Sequence, residues 1–199
     1  MYNIKFQYTI ILMIIAIIYY SFENDDTIND YNIIDQDPEQ SETYRSQIIM
    51  DDYVLTPVKD YSIKARVLRK EKYIFDKNSG FSNFDLALGW NKMSDIENLK
   101  KIKITQANRF YYWRVDSFFI SRDDIEHNSS NHHIIHANKS VYNTLKNIDK
   151  YNIIEMEGYL VNVQDKNDSS KKWKSSLTRT DTGGGACEIF YVENIKIIN

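Results

Sequence analysis

Apolar and polar residues alternate along several short segments beyond residue 52, a two-residue period that is typical of β-strands with one buried face. This pattern predicts strands at residues 63–68, 84–90, 101–105, 109–115, 132–136, 153–164, 173–178 and 187–197. Gly158 lies inside the longest of these segments, where a glycine predicts a bulge or a sharp bend. The last two segments are expected to pair with each other across a glycine-rich loop.

Two other segments carry helix signals. Ser94, followed three residues later by Glu97, forms a capping box and predicts a short helix over residues 94–101. Asn138 predicts a second helix start, and apolar residues spaced four and three apart extend that helix to about residue 149. Many short strands with one clear helix before the bent strand predict an α+β, mostly β fold. We expect either a small barrel of the oligonucleotide/oligosaccharide-binding (OB) type or a twisted antiparallel sheet with one or two short helices.

The N-terminus differs from the rest of the chain, because residues 6–22 are almost entirely apolar and residues 10–18 contain no polar residue. This stretch just reaches the lower limit of about 17 residues for a helix that spans a bilayer. A secretory signal peptide would have the same apolar centre, but the small residues of a cleavage site are missing. We therefore expect an uncleaved N-terminal transmembrane helix that anchors the protein.

The two segments that follow the apolar stretch carry net charges of opposite sign. Residues 23–52 hold ten acids against Arg45 alone, whereas residues 53–199 hold 23 bases and 18 acids, a net charge of +5. We interpret residues 1–22 as a membrane anchor, 23–52 as an acidic flexible linker and 53–199 as a β-rich globular domain. Lys5 precedes the apolar run, so the positive-inside rule places the N-terminus in the cytoplasm. These features predict a single-pass protein of the cytoplasmic membrane with its domain outside the cytoplasm.

The chain contains one cysteine, which excludes both an intrachain disulfide and a zinc site built on several thiolates. Cys187 is a candidate nucleophile, with His133 as its base and Asn131 or Asp181 orienting that base. The glycines at 183–185 would offer backbone N–H groups to an oxyanion. The competing interpretation is a small buried residue, because Cys187 opens an apolar strand and lacks an established Cys–His motif.

The polar loop over residues 178–188 is the strongest candidate for ligand binding, because surface loops with specific polar residues often carry function. Its arginine offers a fork for a carboxylate or a phosphate, and its glycines allow a close approach of the backbone. The candidate binding residues, in this loop and on the predicted strands, are Asn131, His133, Arg179, Asp181, Thr182, Glu188 and Trp113. The alternative is that Arg179 pairs with Asp181 and that the glycines only satisfy a hairpin.

The histidines do not suggest a metal site. On a strand, His132 and His136 share a face but lie roughly 13 Å apart, and His132 and His133 point to opposite faces. We predict neither a metal nor another cofactor. Nucleic acid is a poor candidate partner, because a charge of +5 spread over the domain is not a basic stripe.

Three stretches resemble an uncharacterised family of exported bacterial proteins of unknown function. They are LALGW at residues 86–90 followed by Met93-Ser94, SSNHHIIHA at 129–137 and SSLTRTDTGGGACE at 175–188. The resemblance spans roughly residues 61–197, and it implies a single domain that is often exported but no particular activity. Similar sequences tend to have a proline at the position of His136, which argues against His136 as a required ligand or catalyst.

Two functions follow from these observations. The first is a membrane-anchored, exported binding module of the bacterial cell envelope whose ligand is a protein or an envelope polymer. An exposed aromatic face of the 109–115 strand would stack on such a ligand. The alternative is a Cys/His-dependent hydrolase or transferase that acts on envelope material. The sequence favours no particular oligomeric state.

Overall fold

The computed structural model describes residues 33–76, 78–178, 181, 183 and 185–198. The strands in these ranges are β1 (Glu39–Ser41), β2 (Ile48–Met50), β3 (Tyr53–Lys72), β4 (Phe84–Gly89), β5 (Lys103–Ala107), β6 (Phe110–Arg114), β7 (Ser129–His136), β8 (Ile153–Asp165), β9 (Lys172–Trp173) and β10 (Glu188–Ile197). The helices are a 3-10 turn at Asn91–Met93, α1 (Ile96–Leu99), α2 (Arg122–His127) and α3 (Lys139–Lys146). The predicted α+β fold, made mostly of strands, is confirmed.

Five strands close into a ring of hydrogen-bonded neighbours. Their order is β3, β4, β7, β10 and β8, and β8 pairs back onto β3. Only β7 and β10 among these pairs run parallel, so the ring departs from the purely antiparallel sheet that was one of the two expectations. A parallel pair needs a long crossover, and the chain that contains α3, β8 and β9 supplies it. At 20 residues, β3 is long enough to pair with β8 along its first part and with β4 along its last.

The main hydrophobic core takes alternate residues of the ring strands, since successive residues of a strand face opposite sides. Ile63, Ala65 and Val67 of β3 belong to it. From α3, Val141 and Leu145 are buried against the same cluster, so this helix covers the core. Residues of β7, β8 and β10 that face the other way form a second, smaller cluster.

One helix boundary predicted from the sequence is wrong. Ser94 does not cap α1; the cap is Asp95, whose carboxylate accepts the backbone N–H of Glu97 at 2.9 Å. The Ser94 hydroxyl instead accepts the backbone N–H of Ile34 at 2.8 Å, which ties the chain ahead of β1 to the core. Asn138, by contrast, caps α3 as predicted.

The predicted pairing of residues 173–178 with 187–197 is also wrong. The strand in the first segment is only two residues long, and it pairs with β8, while β10 lies between β7 and β8. The segment after β9 still reaches β10, because the Ser176 N–H donates to the carbonyl of Cys187 at 3.0 Å and Ser175 Oγ accepts the N–H of Ile189 at 3.0 Å. A polar loop rather than a ladder therefore borders the start of β10.

The irregularity predicted at Gly158 lies opposite it, on β10, because the extra residue between Val192 and Asn194 belongs to β10. A Cβ atom on Gly158 would lie 2.0 Å from the carbonyl oxygen of Tyr191 on the neighbouring strand β10. The register between the two strands shifts directly beside it, between Val192 and Asn194. A residue without a side chain is therefore required where these backbones approach each other.

Residues 33–52 fall within the predicted linker but contain two strands. Both β1 and β2 pair with β3, whose edges offer backbone groups to them. Ile34, ahead of β1, is only 4% exposed and belongs to the main core.

The predicted membrane anchor at residues 6–22 lies outside the described residues. None of the helices in the described part of the chain has the length and apolar content that a membrane span needs.

A separate two-stranded sheet, formed by β5 and β6, stands beside the ring. Its connection is a two-residue hairpin loop, Asn108-Arg109, between the paired residues Ala107 and Phe110. Both loop residues have positive φ angles, 53° and 70°, which two-residue hairpins require because of the strand twist. This conformation is unusual for an arginine, and it directs Arg109 toward β4 and β7.

Candidate active site

Cys187 lies immediately before β10, where β10 runs beside β7. Its side chain is half-buried rather than enclosed in the core. The parallel register pairs Glu188 with His132, which brings Asn131 level with Cys187. Asn131 Nδ2 lies 3.7 Å from Cys187 Sγ. The sulfur therefore has a polar neighbour and access to solvent, unlike a small residue that only fills the core.

His133 follows Asn131 by two residues and therefore lies on the same face of β7. In the antiparallel pairing of β4 with β7, the residue opposite His133 is Asp85. His133 Nδ1 lies 3.0 Å from Asp85 Oδ1, and the two side chains are 16% and 1% exposed. The imidazole thus lies in ion-pair contact with a carboxylate that is shielded from solvent, although His133 Nδ1 makes no hydrogen bond of good geometry among the described residues.

The protonation of His133 depends on both of its neighbours. Burial disfavours the charged imidazolium and lowers the pKa of His133, but hydrogen bonds and charge attraction from Asp85 and Cys187 outweigh burial. The net effect of these opposing contributions is a pKa of about 9 for His133, raised from 6.5. These neighbours favour the imidazolium form of His133 beside the Asp85 carboxylate.

Arg109 binds the same oxygen of this carboxylate. Its Nη1 donates to Asp85 Oδ1 at 2.8 Å, while Nε and Nη2 bind both oxygens of Asp76 at 2.6 and 2.7 Å. The guanidinium also lies over the ring of Tyr73, 4.0 Å from its centroid. Contact with these carboxylates raises the pKa of Arg109 although burial opposes its charge.

The side-chain amide of Asn131 is fixed by two contacts. Its oxygen accepts Gln106 Nε2 at 2.7 Å, which orients the NH₂ group, and Nδ2 donates to the carbonyl of Arg109 at 3.1 Å. An amide NH₂ group has two hydrogens, and the second is donated to Cys187 Sγ at 3.7 Å. Asn131 is therefore set up as a donor beside the sulfur.

A pocket of about 180 Å³ opens beside Cys187. Tyr111 and Trp113 of β6 line it together with the loop that carries Asp181. Burial raises the pKa of Tyr111 to about 12, so its hydroxyl stays protonated and bonds to Ser129 Oγ at 2.5 Å. The hairpin thus forms an aromatic wall of the pocket.

The structure brings together some of the residues predicted from the sequence. Asn131, His133 and Cys187 are neighbours, and the pocket is also lined by Trp113, Asp181 and the buried Glu188. Asp181 does not orient His133, because its carboxylate accepts the hydroxyl of Ser176 at 2.6 Å while Asp85 holds the imidazole. The other two predicted binding residues, Arg179 and Thr182, lie outside the described residues.

The remaining histidines are engaged elsewhere. His132 is completely buried, and its Nε2 lies 3.0 Å from the hydroxyl of Tyr61. His136 packs on the ring of Tyr142, 5.1 Å between centroids, and burial lowers its pKa. Within the described ranges, no group of three or more His, Cys, Asp or Glu side chains has the geometry to hold a metal ion.

Asp85 and Arg109 are the two site residues that the sequence analysis missed. Asp85 is the only charged residue in the segment 84–90, and this lone carboxylate in an apolar strand is the sequence signal that could have identified it. In the structure all six residues of β4, including Asp85, are buried. Arg109 looked like the start of an aromatic strand. Its role depends on a hairpin loop that the alternation pattern does not reveal.

Comparison with known proteins adds no further assignment: no family model, no curated protein and no solved structure matches this chain.

Proposed function

We propose that this protein is a thiol-dependent acyl transferase or hydrolase in which Cys187 is the nucleophile. In this proposal His133 transfers protons and Asp85 orients the imidazole. The observation that carries it is that His133 lies 3.0 Å from the buried carboxylate of Asp85 and on the same face of β7 as Asn131, whose Nδ2 is 3.7 Å from Cys187 Sγ. Cysteine enzymes of unrelated folds use this order of nucleophile, base and orienting group.

The proposed reaction has two steps, acylation of Cys187 and transfer of the acyl group to water or an amine. The sulfur, paired with the imidazolium of His133, attacks the acyl carbon of an ester, thioester or amide. His133 gives its proton to the leaving alcohol, thiol or amine as the old bond breaks, and the acyl group stays on Cys187 as a thioester. Water or an acceptor amine then attacks this thioester, His133 takes up its proton, and the sulfur departs with the imidazolium restored.

Asn131 is suited to stabilise the negative oxygen that develops on the acyl group. Its Nδ2 lies close to the sulfur, and its orientation is fixed by Gln106 before any substrate binds. A donor that is already oriented need not be reorganised during the reaction, which is the main advantage of an oxyanion site.

The proposed substrate belongs to the cell envelope, as the predicted anchor and the proposed location outside the cytoplasmic membrane suggest. The pocket next to Cys187 accepts a small acyl group, and Trp113 and Tyr111 offer ring surfaces for stacking. For the fold, we propose an OB-type barrel, supported by the closed ring of five strands and the helix before β8.

A binding module of the envelope is a second candidate, and one observation favours it. The outer face of the hairpin exposes Phe110 and Tyr112, which are 37% and 50% exposed with their centroids 6.4 Å apart. Such a pair would stack on a sugar or on an extended protein segment. The two functions are compatible if this face holds a polymer whose acyl group reaches Cys187.

The acyl intermediate provides the test. Full-length protein is mixed with p-nitrophenyl acetate at neutral pH, and its intact mass and the release of p-nitrophenolate are followed. We expect one acetyl group on Cys187 with a matching burst, no such adduct in Cys187→Ser, and a burst slowed by about 10²-fold or more in His133→Gln. His136→Gln is the matched control, because it removes a histidine of the same strand that has no contact with Asp85 or Cys187, and it should acylate normally.

The chain has a single cysteine, so the adduct is easily assigned. Acylation at equal rates in the wild type and in His133→Gln would contradict the proposal. Acetyl transfer to other residues alone would contradict it as well.

A further inference from the structure

Arg109 contacts the proposed machinery at two separate places. Its side chain donates to Asp85 Oδ1 at 2.8 Å, and its backbone carbonyl accepts Asn131 Nδ2 at 3.1 Å. The same carbonyl lies 3.9 Å from Cys187 Sγ. One residue in the hairpin loop thus contacts the group that orients the base, the proposed oxyanion donor and the nucleophile.

The Asp85 carboxylate is held at one oxygen. Oδ1 receives Arg109 Nη1 at 2.8 Å and faces His133 Nδ1 at 3.0 Å. Oδ2 is buried and has no hydrogen-bond partner among the described residues. The orientation of this carboxylate toward His133 therefore depends on the guanidinium, because no second anchor is available within the described chain.

Arg109 is itself held rigidly. Its fork binds Asp76 at both oxygens, its Nη2 also donates to the carbonyl of Ser82 at 2.8 Å, and its backbone N–H donates to the hydroxyl of Tyr73 at 3.1 Å. A bidentate pair fixes direction as well as distance. The positive φ of 70° at Arg109 then points its carbonyl at Asn131.

We infer that Arg109 is a positioning residue, which aligns Asp85 with His133 through its guanidinium and Asn131 with Cys187 through its carbonyl. This role is a part of the proposed function, but its first prediction, the state of His133, is measured without any turnover. The β5–β6 hairpin is then the element that assembles the site, since it brings Arg109 to two strands of the ring.

Two effects of removing Arg109 act on His133 in opposite directions. Loss of the positive charge alone would raise the pKa of His133, because the Asp85 carboxylate would then interact with the imidazolium and no longer with a guanidinium. Loss of orientation would lower it, because the carboxylate would turn away from the imidazole. The charged groups around the pair are Asp85, Arg109, Asp76 and Cys187, so the direction of the change separates positioning from plain electrostatics.

The test is an NMR titration of the His133 ring in the full-length wild-type protein and in variants. The wild type should titrate at a pH of about 9. In Arg109→Ala the midpoint should move down toward 6.5, and acylation of Cys187 by p-nitrophenyl acetate should fall by about 10 to 100-fold. Millimolar guanidinium should restore both in Arg109→Ala but not in Asp85→Asn, where the carboxylate itself is missing.

Arg114→Ala is the matched control. It removes an exposed arginine of the same hairpin and leaves Arg109 and its contacts in place, whereas Asp76→Asn weakens the fork that orients Arg109. The titration of Arg114→Ala should stay near that of the wild type, and Asp76→Asn should shift the midpoint in the same direction as Arg109→Ala but less. If Arg109→Ala does not fold, Arg109→Lys keeps a positive charge without a fork and should show the same downward shift.

An unchanged or raised midpoint in the folded arginine variant would overturn the inference. An equal downward shift in Arg114→Ala would overturn it too, because the effect would then not be specific to Arg109. A shifted midpoint with no acyl adduct on wild-type Cys187 would leave the positioning role standing and reject the proposed function.

Discussion

At the scale of single residues, the site depends on a charge that burial opposes. His133 is an imidazolium at neutral pH only because Asp85 and Cys187 offset the cost of removing it from water. Its own chemistry thus contributes to folding, because the folded protein binds the proton more tightly than the unfolded chain. Function and stability are coupled at this side chain.

This coupling predicts how stability changes with pH. The pKa of His133 rises from 6.5 to about 9 on folding, so its stabilisation is fully present below pH 6.5 and is lost as the pH rises through about 9. The difference in free energy of unfolding between the wild type and His133→Gln should shrink by roughly 1 to 3 kcal/mol across that window. Urea denaturation at a series of pH values measures it, with His136→Gln as control. A difference that is constant from pH 6 to 9.5 would contradict the assignment.

The residues of the site were partly predictable. Cys187, His133 and Asn131 were identified from their chemical types and their positions near polar loops. The orienting carboxylate was not, because Asp85 is far away in sequence and is paired with His133 only by the register of two strands. Asp181 was predicted as the orienting carboxylate because it is close to Cys187 along the chain, but it accepts the hydroxyl of Ser176 instead.

At the scale of elements, the alternation pattern located most strands, since a buried face leaves a two-residue period. It failed where a strand has no such period. The short strands β1 and β2 in the acidic segment, which attach to the edges of β3, have no such period, whereas β4 was located although all six of its residues are buried. The pairing of β9 was mistaken because alternation indicates a strand but not its partner.

The close approach of β8 and β10 at Gly158 carries a prediction at this scale. In Gly158→Ala the new methyl group would clash with the carbonyl of Tyr191, which lies 2.0 Å from the Cβ position on a backbone that cannot easily move. We expect a loss of about 2 kcal/mol or more in the free energy of unfolding. Gly80→Ala is the control, because its Cβ meets only the hydroxyl end of the Tyr53 side chain. Thermal or urea denaturation compares the two, and equal stabilities would show that the two strands can separate at no cost.

At the scale of the whole molecule, the proposal places a reactive thiol outside the cytoplasmic membrane. The single cysteine lies in the described domain, half-buried beside a pocket, so it reports directly on the location of that domain. The apolar segment at residues 6–22 is the predicted anchor, and the acidic residues after it are the predicted exported flank.

This location is tested in cells. A membrane-impermeant maleimide should label Cys187 in intact spheroplasts that produce the full-length protein, and removal of residues 2–22 should abolish labelling until the cells are lysed. A cytoplasmic protein with an exposed cysteine serves as the control for membrane integrity. Labelling of the full-length protein only after lysis would place the domain inside the cytoplasm and reject this part of the account.

The activation of Cys187 by His133 is tested most directly by the pH dependence of its alkylation. An ordinary thiol, with a pKa near 8.5, reacts slowly with iodoacetamide at pH 6 because little of it is ionised. In the full-length wild-type protein we expect fast reaction already at pH 6, at least about tenfold above His133→Gln, and a further change near pH 9 as His133 loses its proton. A wild-type rate that rises through pH 8.5 like that of a free cysteine, and that His133→Gln leaves unchanged, would contradict the account.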